Sequence, residues 1–264
     1  MRGRVLIVAG SDSGGGAGIQ ADIKTVTMLD AYAATAITAL TAQNTEGVFG
    51  ILPIPPEFIR WQIELVLDDI GADAIKTGML HDAAVIEAVA AVLRQRASTV
   101  PLVVDPVMVA KGGARLIDPD AVDALKQLLI ARAAVLTPNL PEAEALCGAA
   151  IGDVAAMHAA GETLLALGCK AVLVKGGHLA GDTVSDVLVS QSGNRIWQSP
   201  RIDTRHTHGT GCTLASAIAA GLAQGLGVES AVDRARAYVQ RAIASAPGFG
   251  RGHGPLDHAH PLRP

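Results

Sequence analysis

Apolar runs alternate with amphipathic stretches along the chain, and clusters of glycine or proline separate them. Residues 5–9 form a short apolar run of the kind that makes a buried strand. Residues 19–29 follow with helical spacing, placing Ile19, Ile23 and Val26 on one face. Residues 33–40 read as a second strand, and Ile59, Ile63, Val66, Leu67 and Ile70 form a helical face in which Trp61 is assigned to packing. The alternation continues with strands at 74–77, 102–104, 134–136 and 171–174 and helices at 82–95, 120–130 and 155–167. Residues 183–189 and 194–198 read as two strands joined by Gln191-Ser192-Gly193, the one clear hairpin interval. A helix begins after Gly211 and runs through Ala220, and a last one covers 229–244. From about residue 248, His253, His258 and His260 stand among Gly and Pro, which predicts a flexible, solvent-exposed tail rather than a metal site.

This order predicts a three-layer α/β/α sandwich with a mostly parallel central sheet, and the hairpin adds an antiparallel edge. A (β/α)8 barrel also gathers loops at one end of its sheet, but the hairpin and the long terminal helices break an eightfold pattern. No internal repeat is present. The 264 residues suit one domain spanning 1–264.

With half the residues hydrophobic and only 3% aromatic, the core must be built from Ala, Val, Ile and Leu. A net charge of -4 gives no broad attraction to nucleic acid or to an acidic membrane. Cys147, Cys169 and Cys212 are odd in number and match no zinc spacing, so a reducing, cytoplasmic setting is expected. No opening stretch has the make-up of a secretory leader, and no apolar run reaches the roughly 18 residues of a membrane span.

Candidate chemistry falls in the loops after the strands, where a parallel sheet gathers its ligands. Residues 206–217 place two glycines just before an alanine-rich helix. The first amides of such a helix lack internal partners, and with the helix dipole they attract an anion. Cys212 sits where a thiol feels both effects. The bland alternative is a tight packing loop. Residues 10–18 form a glycine loop between strand and helix, but they fit neither the dinucleotide fingerprint nor the phosphate-loop pattern. Gln43 offers a donor and an acceptor to one flat heterocycle, or else an amide that holds a turn together. Asp105 stands immediately beyond an apolar strand, and Lys111-Gly112-Gly113 supplies a mobile cation. Asn139 and Glu142, three residues apart, can reach one metal–water shell.

Taken together, residues 10–25, 39–45, 76–80, 105–113, 136–146, 172–179 and 206–215 closely resemble the hydroxymethylpyrimidine/phosphomethylpyrimidine kinases of the ribokinase-like superfamily. The resemblance implies ATP-dependent phosphorylation of a hydroxymethylpyrimidine and then of its monophosphate, in thiamine biosynthesis, by a homodimer. It implies a pyrimidine pocket formed by the first glycine-rich segment with Ala17, Asp22, Gln43 and Met79. Gly209, Thr210 and Gly211 would form the anion hole and phosphate site, and Lys175 would approach the nucleotide phosphates. Lys111 would lie in a flexible loop near the transferred group; related members often have Lys-Ser-Gly where this chain has Lys111-Gly112-Gly113. Asp105, Asn139 and Glu142 would organise Mg2+ largely through water. Cys212 occupies the place of a catalytic Asp in much of the superfamily. Free cysteine titrates near about 8.5 and a helix start lowers that value, so Cys212 is expected to serve as a thiolate general base. The alternatives are a pyridoxal/pyridoxine kinase, because some near relatives also carry Cys there, and a nonenzymatic pyrimidine-binding regulator, which the joint presence of Cys212, Asn139, Glu142 and the Gly-Thr-Gly turn disfavours.

Overall fold

The computed structural model describes residues 1–109, 113, 116–118 and 120–263. β1 (Arg4–Asp12) is the strand from which the sheet is laid out. Its side chains alternate between two separate cores: Leu6 and Val8 face one, Val5, Ile7 and Ala9 the other. A strand buried on both faces must be apolar throughout, which is why β1 reads as an uninterrupted run. The first core is covered by α2 (Pro56–Asp69), α3 (Ala83–Arg96), α4 (Ala121–Ala124), α5 (Leu140–Cys147) and α6 (Val154–Leu165). The second is covered by α1 (Gly18–Met28), α7 (Thr210–Ala223) and α8 (Val228–Ala244).

Among the described residues, nine strands form one sheet in the order β3-β2-β1-β4-β5-β6-β7-β8-β9. The strands β2 (Tyr32–Gln43), β1, β4 (Ala74–Thr77), β5 (Leu102–Val104), β6 (Val135–Leu136) and β7 (Ala171–Lys175) are parallel. The expected hairpin is β8 (Thr183–Ser190) with β9 (Arg195–Pro200), both antiparallel. The ribokinase-like three-layer arrangement is present, with one addition: β3 (Val48–Pro53) pairs antiparallel with β2 and makes the opposite edge antiparallel too. Beyond β1 the chain first builds outward through β2 and β3, then returns to place β4 on the other side of β1. That switch in direction opens a crevice at the carboxyl ends of the strands.

Three local expectations change. The helix expected at 120–130 is α4 followed by a π-helical turn, Leu125–Leu129, and a 3-10 turn, Ile130–Arg132. Trp61 is exposed and meets Phe58 edge-on, with ring centroids 5.8 Å apart. The segment after residue 248 is not an exposed tail: Leu256, Asp257 and His258 are buried. Tyr238 donates its hydroxyl to the His258 carbonyl at 2.7 Å, and the Thr213 hydroxyl meets His258 Nε2 at 3.0 Å. Polar groups buried in this way are satisfied by α7 and α8, so the segment holds its place through hydrogen bonds as well as apolar contact.

Removing residues 248–264 should therefore destabilise the protein by at least about 2 kcal/mol, from loss of the buried Leu256 side chain alone. Denaturant unfolding of the full-length and shortened chains measures this; equal midpoints would show that the segment contributes no stability.

Candidate active site

The site begins where two glycine loops touch. Gly209 has φ of 82°, and a Cβ there would lie 1.8 Å from the Gly16 carbonyl oxygen. Only glycine permits that approach, and it presses the start of α7 against the loop between β1 and α1. No side chain caps α7. The Thr210 amide and hydroxyl both turn back to the Thr207 carbonyl, at 3.3 and 2.7 Å. Among the described residues, the Gly211 and Cys212 amides make no such bond and are left for an anion. At Gly211 a Cβ would come within 3.2 Å of Lys175 Nζ, so the missing side chain keeps cation and amides adjacent.

These groups open on a cavity of about 440 Å³, a volume typical of small-ligand sites. Ala17, Gln43 and Met79 line it, as do Asp105, Asn139, Glu142 and Lys175, and so does the run from Gly209 to Cys212. Residues distant in sequence converge here because each follows the carboxyl end of a parallel strand or a helix start. Lys111 lies outside the described residues. Asp22 does not line the cavity. It is fully buried, accepting from Lys76 Nζ at 2.8 Å and from the Ser216 hydroxyl at 2.7 Å. Lys76, itself fully buried, is the member of that pair that reaches the cavity.

Lys175 lies between two carboxylates, 3.1 Å from Asp105 Oδ1 and 4.0 Å from Glu142 Oε2. Thr137 donates its hydroxyl to the same Asp105 oxygen at 3.2 Å. Burial works against the Lys175 ammonium, but Asp105 and Glu142 outweigh it and raise its pKa. Burial pushes the Glu142 carboxyl up to about 7, with Lys175 opposing and Asp105 adding to the rise. Asn139 and Glu142 form a capping box on α5: the Asn139 amide donates to Glu142 Oε2 at 2.8 Å, and the Glu142 amide to Asn139 Oδ1 at 2.9 Å. Their spacing of three thus serves the helix start. Among the described residues, no three His, Cys, Asp or Glu side chains converge closely enough to hold a metal by themselves. The donors present are oxygens, which suits Mg2+ bound through water and phosphate rather than in a cage of protein ligands.

Cys212 departs from expectation. It is only partly exposed, on the cavity wall, and the desolvation there pushes its thiol up to about 12; Lys76 pulls it down, while Asp22 and Asp105 push it further up. The helix start does not overcome desolvation. Burial opposes the Lys76 ammonium, but the Asp22 carboxylate in contact with it, with Asp105 beyond, outweighs that and keeps it charged.

Three polar residues at the site had been assigned no role. Asp12 accepts from the Gly14, Gly16 and Ala17 amides at 2.8, 3.1 and 2.8 Å. His208 Nε2 lies 2.8 Å from Asp12 Oδ2. Burial raises the Asp12 pKa, but His208 and the amides more than offset that and hold the carboxyl below its ordinary range. The third is Lys76. A lysine inside an otherwise short apolar strand was the available signal for it; an acid at the end of β1 and a histidine just before Gly209 were the signals for the others.

A mostly parallel sheet flanked by helices, an open helix start and a lysine–carboxylate cluster at the sheet's carboxyl edge define a ribokinase-like small-molecule kinase. Residues 12–257 match the family model described as phosphomethylpyrimidine kinase, and the chain belongs to that family, whose members are ATP-dependent enzymes. It is 55% identical to the thiamine biosynthesis bifunctional protein ThiED of Geobacter sulfurreducens, over 97% of this chain and 52% of that protein. The chain thus spans about half the length of that relative. It is 48% identical to the hydroxymethylpyrimidine/phosphomethylpyrimidine kinase of Streptomyces coelicolor, covering 98% of this chain and 95% of the relative. The pyridoxal kinase of Bacillus subtilis, solved as an ADP complex, superposes with a TM-score of 0.91 at 37% identity, covering 100% and 99% of the two chains.

A thiol raised to about 12 stays protonated through neutral pH and loses its proton only in strong base. Alkylation of Cys212 by iodoacetamide, followed site by site by mass spectrometry, should keep accelerating up to about pH 10. A plateau below pH 8 would show a thiolate already formed.

Proposed function

We propose that the protein phosphorylates 4-amino-5-hydroxymethyl-2-methylpyrimidine and then its monophosphate, using ATP and Mg2+, in thiamine biosynthesis. The observation that carries this reading is that Gln43 and Met79 line the same cavity as the open start of α7, Lys175 and Cys212. Gln43 supplies the polar contact to the ring and Met79 an apolar surface beside it, with Ala17 completing the pocket. Asp22 acts on this site from behind, by fixing Lys76.

Phosphoryl transfer asks a protein mainly for positioning and for stabilisation of spreading negative charge. The Gly211 and Cys212 amides accept that charge, with Thr210 and Gly209 shaping the turn that aims them. Lys175 meets the nucleotide phosphates, and Lys111 is assigned to the transferred group. Asp105, Asn139 and Glu142 would hold Mg2+ through water; when bound, the ion neutralises phosphate oxygens. The thiolate form of Cys212 takes the substrate hydroxyl proton. Because the thiol is pushed up, that form is the minor one at neutral pH. Proton removal therefore accompanies transfer, and most of the acceleration falls to the amides and Lys175.

Incubation with ATP and Mg2+ should convert the hydroxymethylpyrimidine to its monophosphate and then to its diphosphate, read directly by mass spectrometry. The likeness to a pyridoxal kinase supports a second reading. Efficient conversion of pyridoxal, with neither pyrimidine consumed, would establish that reading instead.

A homodimer is supported by the exposed apolar side chains Phe49 and Leu52 on β3 and Phe58, Trp61 and Leu65 on α2. Sedimentation should give twice the chain mass. The double substitution Leu52→Lys, Trp61→Glu should give a folded monomer; an unchanged dimer would place the interface elsewhere.

A further inference from the structure

We propose that His208, anchored by Asp12, fixes the orientation of the Gln43 amide and so decides which way round the pyrimidine ring lies. The inference rests on the substrate reading above, but its structural part stands on hydrogen-bond chemistry alone.

The His208 ring has little freedom. A Cβ on Gly16 would lie 2.5 Å from its Cδ2, so the imidazole packs directly against that glycine. The His208 amide donates to the Gly254 carbonyl at 3.1 Å. Nε2 faces Asp12 Oδ2 at 2.8 Å, and Asp12 already accepts three backbone amides. An ionised carboxylate can only accept, so Nε2 carries a proton.

The same Nε2 lies 3.2 Å from the terminal position of the Gln43 amide that carries the nitrogen label, and amide oxygen and nitrogen are told apart only by their neighbours. The one hydrogen on Nε2 points chiefly at Asp12 and reaches Gln43 only as the longer arm of a three-centre bond; an amide oxygen can accept that arm, whereas an NH2 there would set hydrogen against hydrogen. The other terminal position, which carries the oxygen label, lies 3.2 Å from the Thr41 hydroxyl, a longer contact than the one Thr41 makes to Ser11. Thr41 gives its one hydrogen to the Ser11 carbonyl at 2.8 Å, so it turns lone pairs toward Gln43 and requires an NH2. Both neighbours therefore select the same arrangement: amide oxygen toward His208, amide nitrogen toward Thr41. The reverse arrangement sets donor against donor at one end and acceptor against acceptor at the other. Oxygen and nitrogen have nearly the same size, so only these hydrogen bonds distinguish the two orientations.

After these bonds, the oxygen keeps one lone pair and the nitrogen one hydrogen for a ligand. A 4-aminopyrimidine presents a matching edge, with an amino donor on C4 and an acceptor at N3. The amino group then lies on the His208 side and N3 on the Thr41 side. The 5-hydroxymethyl group is attached to the carbon beyond the amino-bearing one, away from N3, so it projects on the His208 side. Gly209 follows His208 directly and α7 begins at Thr210, which puts the hydroxyl toward the open helix start. The reverse amide orientation would turn the ring over and carry the hydroxyl away. His208 is therefore a positioning residue that acts through Gln43.

The test combines a double-mutant cycle with a measurement on the unaltered protein. His208→Leu should raise KM for the hydroxymethylpyrimidine by about tenfold or more and leave KM for ATP unchanged. His208→Gln, which restores a donor of similar reach, should recover most of that loss. In a Gln43→Leu background, adding His208→Leu should cost nothing further, because the group it orients is gone. Equal losses in both backgrounds, or an altered KM for ATP, would overturn the proposal. Should His208→Leu fail to fold, long-range nitrogen–proton NMR of the wild-type protein settles the matter: Nε2 of His208 must be protonated, and a bare Nε2 refutes the assignment. If the wild-type enzyme consumes pyridoxal and no pyrimidine, the substrate reading fails, while a bare Nε2 would still overturn the orientation of Gln43 by His208.

Discussion

The contact between Gly209 and Gly16 leaves no room for a single carbon atom, and the active site hangs on it. Backbone against backbone is the closest approach a chain can make. It brings the start of α7 to the end of β1 and seats the two glycine loops directly against each other. Cys212 and the open amides follow from it on one side, His208 and Asp12 on the other. A side chain in either glycine position would part the two loops and separate the ring-binding pocket from the phosphate-binding turn.

Charge is placed in this cavity only in company. Lys175 has Asp105 and Glu142; Lys76 has Asp22; Asp12 has His208 and three amides. Each pairing offsets desolvation that an isolated ion could not bear. Cys212 is the exception. It has a cation nearby but also two carboxylates, and its thiol stays neutral. The site is thus arranged to receive an anion without holding a free negative charge at its most reactive side chain.

Much of this was legible along the chain, for definite reasons. β1 and β5 are buried on both faces and read as apolar runs; β4 is buried as deeply but carries Lys76 and Thr77. β3 escaped notice because it is an edge strand carrying Gly50 and ending at Pro53, and its identity lies in its pairing with β2 rather than in its own pattern. Gln43, Met79, Lys175 and the Gly209–Cys212 turn were placed by motif and meet in one cavity. His208 and Lys76 were not, because their partners stand 196 and 54 residues away, and no local pattern reports such a pairing. The Cys212 thiol obeys the same limit: a helix start is visible in sequence, whereas the surroundings that push the thiol up are not.

The segment around residue 254 adds a matter of reach. Residue 254 holds the His208 backbone and His258 meets Thr213 on α7, so residues that line no part of the cavity brace the loop that orders the site. A substitution or a proteolytic cut there would therefore be felt at the pocket without altering any group that faces a ligand. The active site has in this sense a keystone set outside its own walls.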